Sequence, residues 1–250
     1  ESGAAMRASK VVYDRSASSI SEIKPGDVDW AKVFDGADWF HFTGITPAIS
    51  KNAGEVCIEA AKAAKELGIT VSADMNYRKN LWTPEEAQAT MIPMMKYVDV
   101  SIGNEEDAEK CLGVAAEGVD VTVGEIDPEA YRPVVQELVD KFGFKKVAIT
   151  LRESFSADDN GWSAIYYDGD EILVGNKYPV RIVDRVGGGD SFCAAMIYGL
   201  NQSDWNSRQV LDFAVASSAM SHTFHGDFNL VSVKEVMAVA GGDTSGRVQR

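Results

Sequence analysis

The residues Gly187-Gly188-Gly189-Asp190 are where residue type and spacing in this sequence point most directly to chemistry. Glycine lets the backbone approach a ligand closely and adopt positive φ. The triplet precedes an apolar helical pattern through Phe192, Ala194, Ala195, Ile197, Tyr198 and Leu200. The first N–H groups of such a helix have no internal partner, and the positive end of the macrodipole lies behind them. That is a site for an anion, suited to a phosphoryl group in flight. A carboxylate directly after the glycines would repel a phosphate held there. It makes sense if Asp190 takes a proton from a hydroxyl beside the phosphate, as general base in phosphoryl transfer. The plainer alternative is a glycine-rich turn with Asp190 as a first-turn residue favoured by the dipole. Neither G-x-x-x-x-G-K-[ST] nor G-x-G-x-x-G occurs, so the P-loop and dinucleotide classes are not indicated.

The elements that must position this loop alternate between strand and helix. Lys10–Arg15 and Asp38–Thr43 read as strands. Ala53, Val56, Cys57, Ala60, Ala61, Ala64 and Leu67 fall at helical spacing, with Gly68 as the stop. Ile69–Asp74 follows as a strand, giving a βαβ unit with parallel strands and a right-handed crossover. The pattern repeats with a helix over Pro84–Tyr97, a strand over Val98–Ile102, a helix over Pro128–Phe142 and a strand over Lys146–Leu151. Trp162–Val183 alternates as β, with turn signals at Asp168-Gly169-Asp170 and Gly175-Asn176, and reads as an antiparallel flap. Helices over Gly189–Leu200, Ser207–Thr223 and Val233–Ala240 complete the chain, and 241–250 is expected to be a frayed tail. This order predicts an α/β fold: a doubly wound, mostly parallel sheet flanked by helices, with its ligands beyond the strands' carboxyl ends.

With 250 residues, 45% of them hydrophobic, the chain can build one such domain over residues 1–250. A formal net charge of −14 disfavours nucleic acid or anionic membrane as partners. An anionic substrate must then be held by local Arg or Lys or by backbone amides. Cys57, Cys111 and Cys193 are too few for a disulfide framework and show no metal-ligand spacing, which fits a reducing, cytoplasmic setting. No apolar run approaches the ~20 residues that span a bilayer, and no signal-peptide pattern opens the chain.

Asp184-Arg185-Val186-Gly187-Gly188-Gly189-Asp190-Ser191-Phe192 resembles the D-[TR]-x-G-[AG]-G-D-[ST]-F signature of the ribokinase/PfkB carbohydrate kinases. The form DRVGGGDSF is most similar to the 2-keto-3-deoxygluconate kinases of that family. Three further segments agree: Ser9–Arg15 (SKVVYDR), Asp74–Trp82 (DMNYRKNLW) and Gly103–Ala108 (GNEEDA). The resemblance implies a ribokinase-like fold with a small β lid over residues 8–20, ATP and Mg²⁺ as cofactors, and a sugar acid phosphorylated at its terminal hydroxyl. It implies Asp190 as catalytic base and Gly187, Gly188 and Gly189 as the anion hole. Tyr13, Arg15, Arg78, Asp190 and Asp227 would bind the sugar. Asn76, Arg78, Asn104, Thr150, Arg152, Gly187 and Gly189 would meet the nucleotide, with Asn104 and Asp107 near the metal, through water where the shorter Asp107 replaces the family's Glu. Arg152 stands where many relatives carry glycine.

Family members open with a strand and a Gly-Gly-Asn-type segment, and Glu1 falls partway through that pattern. The chain is therefore expected to be incomplete at its N-terminus, with part of the lid absent and a sheet edge exposed. A homo-oligomer is expected by analogy only. Other residues have ordinary readings: His41, His222 and His225 as structural, the five tryptophans and Met91, Met94 and Met95 as packing, and Glu105-Glu106-Asp107 as dipole-favoured. Two alternatives to a sugar-acid kinase stand beside it: a kinase for a neutral hexose, which gives two Arg forks no anion to pair with, and a catalytically inactive sugar-binding module, which leaves Asp190 without a purpose.

Overall fold

The structure is a computed structural model, and it describes residues 3–104, 106–115 and 127–247. Its framework is a seven-stranded sheet. Strands β1 (Trp39–Thr43), β2 (Thr70–Asp74), β3 (Val100–Asn104) and β4 (Lys146–Ser154) are parallel neighbours in chain order. Strand β5 (Asp159–Tyr167) pairs antiparallel with β4, and β6 (Ile172–Val174) and β7 (Tyr178–Arg181) pair with opposite ends of β5. The helices are the single-turn α1 (Ser19–Glu22) and α2 (Trp30–Val33), then α3 (Ile45–Ile49), α4 (Lys51–Glu66), α5 (Pro84–Met95) and α6 (Asp107–Leu112). A 3₁₀ turn at Pro128–Tyr131 leads into α7 (Arg132–Phe142), followed by α8 (Gly188–Leu200), α9 (Ser207–Ser221) and α10 (Val233–Ala240).

Two apolar layers hold helices to the two faces. Phe42, Val71, Ala73 and Ile149 meet residues of α4 to α7 on one side. Val100, Ile102, Ala148, Ala164 and Tyr166 meet α8, α9 and α10 on the other. Alternate residues of a strand face opposite sides, so strands covered on both faces read as continuous apolar runs. Small residues bring α4 against the sheet: Ala53, Ala61 and Ala64 are fully buried. Ser50 Oγ accepts from Ala53 N at 3.1 Å to start this helix, and Gly68 at φ +76° ends it. Helix α5 starts at a capping box of Thr83 and Glu86 with Pro84 in its first turn. Buried Asp99 ties three elements together, accepting from Val71 N at 3.1 Å and pairing with Lys65 and, at 2.9 Å, Lys145. Burial opposes its charge, but these bonds prevail and hold its carboxyl below the usual range.

Two sequence expectations are corrected. Residues 10–15 form no strand; they run irregularly and mostly exposed, because no strand lies beside them among the described residues to complete a ladder. The stretch read as a flap is part of the main sheet. Strand β5 faces β4 over eight residue pairs, from Val147↔Tyr167 to Ser154↔Asn160, and is buried on both sides from Asn160 to Tyr166. Ile165 joins one apolar layer and Trp162, Ala164 and Tyr166 the other, so both faces are covered in a segment whose alternation suggests one wet face. Smaller differences lie at ends: α4 starts at Lys51, α5 stops at Met95, α8 begins one residue early at Gly188 and α9 stops at Ser221. Of the tail, 241–247 is turn and irregular backbone, exposed throughout, and 248–250 lies outside the described residues, as does Glu105.

Candidate active site at the carboxyl ends of the parallel strands

Parallel strands end on one side, and register brings those ends level. Thr43 lies beside Asp74, Asp74 beside Ile102 and Asn104 beside Thr150. Backbone crossings there are tight: Gly44 N donates to Asp74 O at 2.8 Å, and a Cβ on Gly44 would sit 2.0 Å from Met75 O. Only glycine fits that position. Asn76 adopts φ +41°, a left-handed conformation that Asn tolerates better than most residues, and its Nδ2 donates to Thr43 Oγ1 at 3.1 Å. Asp107 fastens two of these ends: its carboxylate accepts from Tyr77 N at 2.9 Å and Asn104 N at 2.8 Å. Asn104 Oδ1 in turn accepts from Glu106 N at 2.8 Å and Asp107 N at 3.1 Å. Thr150 Oγ1 donates to Gly103 O at 3.3 Å.

The glycine-rich loop is built just as closely. Asp184 clamps it, with Oδ1 accepting from Val186 N at 3.1 Å and Oδ2 from Gly226 N at 3.2 Å. Gly187 has φ +78°, and a Cβ there would meet Asp227 O at 2.6 Å. At Gly188 a Cβ would lie 2.5 Å from the His222 ring. That ring is fixed, because its Nδ1–H donates to Ser218 O at 2.7 Å and it packs 4.8 Å from the Trp162 ring. Ser218 Oγ donates to Gly188 O at 2.7 Å. Gly189 differs: a Cβ would meet nothing within 4 Å. Two glycines therefore answer to packing, while the third faces open space beside the first-turn amides of α8. Asp190 follows it, exposed, in that first turn. Gly188→Ala should cost about 1–3 kcal/mol in urea unfolding, whereas Gly189→Ala should be neutral or slightly stabilising. Equal stabilities for the two variants would contradict this packing.

Electrostatics gather around Asp74, which is buried at the end of β2. Burial, then the charge of Asp107, push its carboxyl up to about 7; Asp190 adds to this, while a hydrogen bond from Cys193 and the charge of Arg78 oppose it. Asp107 is raised to about 6, chiefly by burial, against the two backbone amides and Arg78. His41, whose Nδ1 lies 2.7 Å from Ser72 Oγ, is lowered by burial and raised by Asp190. A carboxyl raised in the folded state is protonated there while the unfolded chain has released its proton. Its contribution to stability is therefore full below about pH 4 and is lost as pH rises towards 7. Asp74→Asn should accordingly gain stability over the parent between pH 4 and 7, by on the order of a few kcal/mol. Thermal unfolding at several pH values checks this, and a difference independent of pH would refute it.

The structure thus brings Gly187, Gly188, Gly189, Asp190, Asp227, Asn76, Arg78, Asn104, Thr150 and Asp107 to one end of the sheet. Tyr13 and Arg15 are not joined to it by any hydrogen bond among the described residues. The Arg15 guanidinium stacks 4.6 Å from the Tyr13 ring within the irregular segment. Asp227 meets the glycine loop through its backbone carbonyl. Both oxygens of Asp107 are committed to amides, and no cluster of three His, Cys, Asp or Glu suited to a metal occurs among the described residues. A magnesium ion would have to bring most of its ligands with a nucleotide's phosphates. Sequence reasoning assigned nothing to Asp74, Asp184 or Ser72, and it took His222 as structural without its role under Gly188. The i, i+2 spacing of Asp184 and Val186 carries the Asx-turn signal that would have found the loop clamp.

Amides freed at a helix start, an open glycine and an exposed carboxylate at the strand ends of a doubly wound sheet define a class of enzymes that move a phosphoryl group onto a small molecule. The chain belongs to the pfkB family of carbohydrate kinases, whose model matches residues 6–232. It is 29% identical over 246 residues to the 2-dehydro-3-deoxygalactonokinase of Haloferax volcanii, covering 98% of this chain and 70% of that one. It is 31% identical to the 2-dehydro-3-deoxygluconokinase of Thermoproteus tenax, covering 88% of this chain and 59% of that one. Among solved structures, the 2-dehydro-3-deoxygluconokinase of Thermotoga maritima is similar with a TM-score of 0.90 and 50% identity, over 96% of this chain and 72% of that one. The chain thus spans between about three fifths and three quarters of the length of these relatives. No helix of the described residues is long and apolar enough to cross a membrane.

Proposed function

We propose that the chain carries the catalytic machinery of an ATP-dependent kinase that phosphorylates the terminal hydroxyl of a sugar acid, 2-dehydro-3-deoxygluconate or its close relative. The observation that carries this reading is Asp190, exposed beside amides that open onto free space at Gly189. Asp190 accepts the proton of the attacking hydroxyl, and the amides of Gly188, Gly189 and Asp190 stabilise the charge on the phosphoryl oxygens. Arg78, four residues past the end of β2, pairs with the acid's carboxylate. Asn104, Thr150 and Arg152 face the nucleotide, and magnesium bound with ATP neutralises charge on its phosphates. Asn76 and Asp107 hold the strand ends in place. Tyr13 and Arg15 reach the sugar only if the segment that carries them folds over the site. The names of the three relatives support an acid as acceptor. A coupled ATP-turnover assay with Mg²⁺ tests the proposal, offering both 2-dehydro-3-deoxyaldonates beside fructose and ribose. Turnover with the acids alone is expected; preference for fructose would replace the acid with a neutral hexose.

A further inference from the structure

Two guanidinium groups flank the glycine loop on a surface that is acidic overall. Arg185 occupies the variable second position of the loop's signature and is half-buried. One of its Nη groups donates to Ala157 O, which joins the glycine loop to the turn between β4 and β5. Arg152 lies near the end of β4, opposite Trp162, whose ring packs on the His222 ring beneath Gly188. Neither arginine is in an ion pair among the described residues. The carboxylates near them are engaged: Asp184 by two backbone amides, and Glu153 by Lys177. The two charges act on each other, since burial and then Arg152 lower the Arg185 guanidinium. Both also act on His222, which burial, with their help, keeps below its ordinary value. Two like charges in no direct ion pair with a carboxylate cost folding free energy, and an anion between them would offset it.

We propose that Arg185, with Arg152, holds the polyphosphate of the nucleotide and presents its terminal phosphate to the glycine loop. This inference rests on the kinase reading above and adds a residue to it. Position decides between the anions available. Adjacent strands lie ~4.8 Å apart, so with β3 between them the end of β4 is ~10 Å from the end of β2, and Arg78 follows β2 by four residues. A single carboxylate at Arg78 leaves the second, doubly cationic station to a ligand of several negative charges.

Calorimetric titration of the parent chain, Arg185→Gln, Arg152→Gln and Arg185→Lys with Mg·ADP and with adenosine tests this. Each Gln variant should bind ADP about tenfold or more weakly, with a shallower dependence on salt. Adenosine affinity should stay at the parent value, and Arg185→Lys should recover part of the loss. Arg152 is exposed, so its variant keeps the test open if Arg185→Gln fails to fold. ADP affinities equal to the parent's, or adenosine affinity lost in proportion, would overturn the inference and leave the kinase reading intact. A parent that binds neither ligand would overturn both.

Discussion

Asp190→Asn should fold as the parent does and lose ~10²–10⁴-fold in turnover, the weight of a general base in phosphoryl transfer. The side chain is exposed in the first turn of α8, and its carboxylate is in no hydrogen bond or ion pair that folding needs among the described residues. Asparagine keeps its shape and removes its basicity. The charge of Asp190 also bears on Asp74, His41 and Cys193, so the substitution should lower the Asp74 pKa slightly and leave KM for ATP nearly unchanged. Initial rates at saturating ATP and acid read the effect, with circular dichroism as the folding control. A variant within threefold of the parent would remove Asp190 from the chemistry.

Arg78→Ala should raise KM for a sugar acid by ~10–100-fold, the value of a charge-assisted pair, while leaving KM for any neutral sugar the enzyme accepts within a few fold. The guanidinium is half-buried, one Nη donates to Tyr77 O at 2.9 Å, and its charge favours ionisation of both Asp74 and Asp107. Burial already favours the neutral form of both carboxyls, and loss of the Arg78 charge favours it further. The fold should therefore survive, and the midpoint of the Asp74 titration should move upward. Steady-state kinetics on the acid and on fructose separate the two roles. Equal changes in KM for both would show that Arg78 serves the scaffold and not the carboxylate.

Much of this arrangement can be read from residues. Helix α4 shows itself through the spacing of Ala53, Cys57, Ala60 and Ala64, and its end through Gly68, because burial of one face needs that spacing. The glycine loop is equally visible, since three consecutive glycines have few uses. What escapes is pairing that depends on distant chain. Tyr13 and Arg15 lie in a stretch with strand-like residues, but a strand exists only where another completes its hydrogen bonds. Strand β5 shows the reverse: apolar layers on both sides of the sheet cover a segment that alternation alone leaves half wet. The buried carboxyls escape for a related reason. Asp74 and Asp107 lie 33 residues apart and interact only because β2 and β3 end side by side. Likewise, that Gly188 answers to His222 and Gly187 to Asp227 follows from how α9 and the loop after it return to the signature, which no local pattern records.

The central claim is that this chain's site moves a phosphoryl group from ATP to a sugar acid. Phosphorus NMR of a mixture of the protein, Mg·ATP and 2-dehydro-3-deoxygluconate follows that transfer atom by atom. A phosphomonoester signal that grows in step with ADP, with no matching inorganic phosphate, is the predicted result. An unchanged ATP spectrum, or ATP lost only to inorganic phosphate, would contradict the account.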